Sequence, residues 1–170
     1  MAKVFIKVEL SVSELVYDVE NKTSLTGIAH EDGQNYKQSA DMRLTEVDEH
    51  RNQLMRSIGN AWDTLMNELF ECVCSSGTKA DNMQLGDWQD TLVACLGMPT
   101  NFDLAAKEAI ATGMHQYIVN MALVDWFNIY SQDDAPVYAT MAVANLKQIH
   151  KALNRRSRPY RKKPCDCCCN

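Results

Sequence analysis

The sequence predicts a mainly α protein: a bundle of four to five helices with a short N-terminal β-strand and an irregular C-terminal arm. Three observations carry this reading. Between about Ser11 and Leu153, apolar residues recur mostly at spacings of three and four, the period of a helix with one buried face. Residues 3–10 alternate with a period of two instead, as a half-buried strand does. The stretch Asn154–Asn170 holds six of the 17 Lys/Arg and four of the 7 Cys, with two prolines and no apolar face. At 170 residues and 46% apolar content the chain can bury one full core, which divides it into a domain at 1–153 and an arm at 154–170.

Val4, Ile6, Val8 and Leu10 fall on one side of the first strand, and Lys3, Phe5, Lys7 and Glu9 on the other. A lone strand cannot satisfy its own backbone groups. It must pair with another segment or with a strand from a neighbouring molecule, and with no second strand of equal quality in the sequence its partner is expected outside the helical body. Ser11-Val-Ser-Glu14 has the spacing of a capping box and opens a helix through Ile28, weakened by Thr23, Thr26 and Gly27. His30-Glu-Asp-Gly33 is a turn signal.

From Asp41 to Cys74 the positions Leu54, Ile58, Ala61, Trp62, Leu65, Leu69 and Val73 give the clearest helical stripe, with Trp62 and Leu65 expected in the core. Its first third, residues 45–52, is almost wholly polar. After loop residues 75–82 a shorter helix is expected near Leu85–Leu96, stopped by Gly97-Met-Pro99. Residues 103–131 form another long helix with Leu104, Ile110, Met114, Tyr117, Met121, Val124 and Tyr130 close to one stripe. Asp133-Asp-Ala-Pro136 starts the last helix, which carries Met141, Ala144, Ile149 and Leu153.

Several function classes find no support. No stretch approaches the roughly 20 uninterrupted apolar residues of a membrane span, and the N-terminus lacks the apolar segment of a signal peptide. A chain starting in the cytoplasm keeps its thiols mostly reduced. The odd cysteine count, with Cys72, Cys74 and Cys95 in helix-like segments, argues further against a disulfide framework. There is no glycine-rich phosphate loop and no Gly-x-Ser-x-Gly elbow, so nucleotide binding and serine hydrolysis lack their usual backbone frames. His30, His50, His115 and His150 are scattered and read as surface or capping residues, while Asp41, Glu46, Asp48 and Glu49 read as a solvated helix face. A non-enzymatic protein without a cofactor is expected.

The arm supplies the candidate binding residues. Arg155, Arg156, Arg158, Arg161, Lys162 and Lys163 can neutralise an acidic surface or phosphates, and Tyr160 can stack on a base. Six basic residues less Asp166 give the arm +5, so the formal −5 of the whole chain leaves −10 on residues 1–153. Every copy therefore carries both halves of an electrostatic contact, which favours protein docking over a DNA-binding accessory role. Cys165, Cys167, Cys168 and Cys169 offer thiolates of the kind zinc or copper(I) prefers. Four sulfurs within five residues do not easily surround one tetrahedral ion, which leaves a small metal-binding protein as a further alternative.

The helical body, the single N-terminal strand and the charged terminal arm resemble a tailed-bacteriophage neck protein of the head–tail connector or adaptor kind. In particular Ser13-Glu-Leu-Val-Tyr-Asp-Val-Glu-Asn-Lys-Thr23, followed by Leu25-Thr-Gly27, resembles small structural proteins of phages and prophages of gut Bacteroides-type bacteria. The resemblance covers roughly residues 11–70. It implies a virion protein made in the bacterial host cytoplasm, forming a ring of identical subunits, with portal, other neck or tail proteins as partners, possible contact with packaged DNA, and terminal arms reaching onto neighbours.

Overall fold

The computed structural model describes residues 3–31, 40, 43–44, 48–74 and 90–157. Strand β1 (Lys3–Ser11) runs directly into helix α1 (Val12–Ala29), followed by α2 (Asp48–Glu68), β2 (Thr91–Pro99), a 3-10 turn (Leu104–Ala106), α3 (Lys107–Tyr130) and α4 (Ala135–Leu153). The fold is mainly α with a small β element, as the apolar periodicity predicts.

Helix α3 is the axis of the body. It packs against α4, α2, α1 and β1, so residues around most of its circumference are buried, among them Ile110, Met114, Ile118, Leu123, Trp126 and Phe127. A helix enclosed on several sides must be apolar on several sides, which is why its buried surface is wider than one stripe. Gly113 lets α4 come close: a Cβ there would lie 2.7 Å from Ile149 Cγ1. On α2, Leu54, Ile58 and Leu65 are buried, as is Leu69 just past its end, and Trp62 packs half-buried against this core. His50 stands edge-on to Trp126, with ring centroids 5.2 Å apart.

The β element corrects two expectations. The segment expected as a helix near Leu85–Leu96 is strand from Thr91 to Pro99, its earlier residues 85–89 lying outside the described residues. Strand β1 finds its partner within its own chain, antiparallel to β2, with Lys3 opposite Pro99 and Ser11 opposite Thr91. Leu92, Ala94, Leu96 and Met98 alternate inward just as Ile6, Val8 and Leu10 do. All four are good helix formers, so propensity hid the alternation until pairing with β1 decided it. The ladder runs on past β1, where the Val12 amide donates to the Asp90 carbonyl at 3.0 Å. Across the far side of β2, Val73 bridges Leu96, flanked by bonds from the Cys74 amide to the Cys95 carbonyl (2.8 Å) and from the Gly97 amide to the Cys72 carbonyl (2.7 Å).

Smaller corrections follow from the same geometry. Ser11 precedes α1 but caps no amide, and its hydroxyl meets Ser13 Oγ at 2.8 Å, so the capping box with Glu14 does not form. The ladder has already fixed the entry of the chain and taken the Val12 amide. Helix α2 ends at Glu68, which leaves Cys72 and Cys74 beyond it and Cys95 on β2; none of the three is helical. Asp41 and Glu46 lie outside the described residues. Leu104 is exposed on the 3-10 turn rather than buried on a helix. Met141 and Ala144 face outward, because α4 meets α3 through the side that carries Ala142, Ile149 and Leu153. Asp134 sits at the α4 N-terminus with Pro136 behind it, yet its carboxylate accepts from Ser131 Oγ at 2.6 Å instead of from a helix amide.

Candidate functional site

The point where the arm leaves the body is a built structure. Past Asn154 the chain turns back along Asn101–Asp103: Phe102 bridges Arg156, the Ser157 amide donates to the Asn101 carbonyl at 2.8 Å, and the Asp103 amide donates to the Arg155 carbonyl at 3.3 Å. Arg155 Nε lies 2.8 Å from Asp103 Oδ2, and Arg156 Nη1 donates to the Leu153 carbonyl at 2.8 Å. The arm is thus anchored by its first residues. Arg155 and Arg156 are engaged with the body, whereas Arg158, Tyr160, Arg161, Lys162 and Lys163 lie outside the described residues, as do Cys165, Cys167, Cys168 and Cys169.

Beside the anchor is a shallow cleft of about 110 Å³ whose lining includes Glu68, Glu71, Cys72, Met98, His150 and Arg156. Its floor is the end of β2 and its acidic lip the end of α2. A cleft this small holds a few waters or one side chain rather than a metabolite. Burial pushes the Cys72 thiol above its ordinary 9.0, helped by Glu71 and opposed by Arg156 and Lys3. Cys74 is also raised from 9.0, by loss of water around it and by its hydrogen bond with Cys95. Both thiols therefore stay protonated at neutral pH, which makes them poor nucleophiles.

These shifts predict a pH dependence. Tyr117 is likewise raised from 10.0, by burial and then by Glu68. A raised acid contributes stability that is complete below its unfolded value and is lost as pH rises through the folded one. Lys22 has the opposite sign, since burial lowers it from 10.5 against the pull of Asp18, and its deprotonation favours the fold. In a Lys22→Met variant the opposing base is gone and only the three acids remain. The urea midpoint of that variant is expected to fall between about pH 8 and about pH 10.5; an unchanged midpoint would mean that these acids meet solvent as freely folded as unfolded.

Two polar clusters elsewhere join helices. His115 Nε2 on α3 meets Asp18 Oδ2 on α1 at 2.8 Å, and Lys22 Nζ reaches Asn120 Oδ1 at 3.3 Å and Gln116 Oε1 at 3.4 Å. No hydroxyl or thiol nucleophile takes part in these contacts, so they read as a seam that fixes α1 on α3. His30 lies 3.0 Å from Asp134 Oδ2, the oxygen to which Ser131 donates. The carboxylate stands between hydroxyl and imidazole, whereas a hydrolytic relay requires the imidazole in the middle. Sequence reasoning missed both interhelical histidines, because the partners of His115 and His30 lie 97 and 104 residues away. Among the described residues no group of three or more His, Cys, Asp or Glu is placed to hold a metal ion, and no helix is long and apolar enough to cross a membrane.

The described surface thus carries an anchored arm root, an acidic lip beside it, and outward apolar stripes of Tyr17, Leu25 and Ile28 on α1 and of Val137 and Met141 on α4. No family model matches the chain, nor does any curated protein or solved structure.

Proposed function

We propose that the protein is a non-enzymatic virion subunit of the head–tail connector or adaptor kind, assembling with its own copies into a ring and docking through its C-terminal arm. The observation that carries the reading is the charge division within one chain. Residues 1–153 hold a formal −10, while past the anchored Arg155 and Arg156 the arm still offers Arg158, Arg161, Lys162 and Lys163. Ring contacts are heterologous and need two complementary faces on every copy, which an acidic body and a basic arm provide. The exposed apolar stripes of α1 and α4 support it, since surfaces of that kind are commonly covered in assemblies. In this reading portal, neck or tail proteins, with their own acidic faces, are the further partners.

Electron micrographs of the purified full-length protein at low ionic strength are expected to show closed rings of one copy number. A population that never exceeds a dimer, and that binds duplex DNA with a steep salt dependence through residues 158–163, would replace this reading with that of a DNA-binding accessory protein.

A further inference from the structure

Strand β1 forms one edge of the sheet. Its inner side is taken by β2, the far side of β2 is bridged by Val73, and among the described residues nothing bonds the outer side of β1. The ladder determines which groups point outward. Cys95 and Gly97 turn their backbone groups toward Cys74 and Cys72, and Val12 donates to Asp90. Backbone groups alternate in direction along a strand, so Val4, Ile6, Val8 and Leu10 bond β2, while Lys3, Phe5, Lys7 and Glu9 aim their amides and carbonyls at the open side. The side chains of these four lie on the exposed face, with Phe5 65% exposed.

We propose that this edge is an interface for a second copy of the chain: β1 pairs antiparallel with β1 about a twofold axis at Ile6, setting Lys3 opposite Glu9 and Phe5 opposite Lys7. The charges choose the register. The free groups belong to odd-numbered residues, so odd must face odd. An axis at Phe5 sets Lys3 against Lys7, an axis at Lys7 sets that lysine against itself, and an axis at Glu9 does the same to the glutamate; like charges directly opposed are destabilising. The axis at Ile6 yields two Lys–Glu pairs and lays each Lys7 over a Phe5 ring. An axis at Val8 also makes two Lys–Glu pairs, but it leaves Lys3 unmatched and slides the ladder onto Ser11, where the chain turns into α1.

Lysines on an open edge ordinarily deter pairing. Here they deter every register in which they meet, and leave one in which each finds a partner. The paired stretch runs from Lys3 to Glu9 on both copies and closes about eight backbone hydrogen bonds. The arm is a poorer occupant, because Pro159 and Pro164 cannot donate and its charges would meet Lys3 and Lys7. The contact is isologous and closes on itself. It goes beyond the ring reading and does not depend on it, since it joins two copies and leaves both arms free.

Sedimentation velocity on the full-length chain tests this at two salt concentrations, the higher of which screens contacts made by the arm. The wild-type protein is expected to keep a species of twice 19.2 kDa at the higher salt. Lys7→Pro removes an amide that β2 does not use, so it should give the 19.2 kDa monomer with circular dichroism retained. Glu9→Lys should also yield monomer, and adding Lys3→Glu should restore the dimer; this pair decides the matter if the proline variant is itself unfolded. A wild-type monomer at both salts, a dimer that survives Lys7→Pro, or a Glu9→Lys defect repaired by Lys7→Glu and not by Lys3→Glu would overturn the proposal. Absence of rings in micrographs changes none of these outcomes.

Discussion

Val8→Pro is expected to remove a large part of the stability of the whole domain, with loss of helical circular dichroism at a much lower urea concentration than wild type. The sequence alone, with β1 unpaired within the chain, gives a different expectation: a variant that folds and fails to assemble. The structure moves the effect to folding. Val8 is 4% exposed and stands opposite Ala94 in the pairs that exchange backbone bonds. Proline there removes the amide and leaves the Ala94 carbonyl buried without its donor, at a cost of about 1–3 kcal/mol. The fixed proline ring also strains an extended strand and gives up valine packing against the core. Total stabilities of domains this size are about 5–15 kcal/mol. A Val8→Pro protein with a wild-type urea midpoint would mean that β1 is not held by β2.

Phe127→Ala should be comparably severe, lowering stability by about 3–5 kcal/mol. Phe127 is fully buried at 0% exposure, and its ring stacks on Tyr138 of α4 with centroids 5.2 Å apart and planes 8° from parallel. Tyr138 in turn bonds Thr26 of α1 at 2.8 Å, so one ring supports the junction of three helices. Removing it opens a cavity that α3, enclosed by its neighbours, cannot collapse to fill. Urea unfolding followed by circular dichroism measures the loss, and a change below about 1 kcal/mol would show that this junction is loosely packed.

The helices were legible because their stripes are long. Leu54, Ile58, Leu65 and Leu69 fall where the three-and-four spacing puts them, and α1 ends within one residue of Ile28. Strand β2 was not legible, because Leu92, Ala94, Leu96 and Met98 favour helix as single residues and become strand only against β1, some 90 residues earlier. The outward turn of Met141 and Ala144 escaped for a related reason: Ala135, Ala142, Ile149 and Leu153 offer an equally regular stripe, and the packing of α4 on α3, with Ile149 against Gly113, decides between them. Of the arm, the sequence showed composition and charge. It did not show that Arg155 would be fixed by Asp103, a partner more than fifty residues away and set in place by the turn after β2. Arg158, Tyr160, Arg161, Lys162 and Lys163 remain as the sequence presents them, outside the described residues.

The anchored root of the arm sets where a truncation should be made. Cutting at Asn154 would remove the Arg155–Asp103 contact and the bond from Ser157 to Asn101, whereas cutting after Ser157 keeps both. The most direct measurement is therefore sedimentation velocity and thermal melting of full-length protein beside a 1–157 truncation, each at low and raised ionic strength. If the basic arm drives assembly, full-length protein sediments as large particles at low salt and as small ones at raised salt. The truncation stays small at both and melts at the full-length temperature. A truncation that assembles as the full-length chain does, or one that unfolds, would contradict a docking arm carried by an independently folded body.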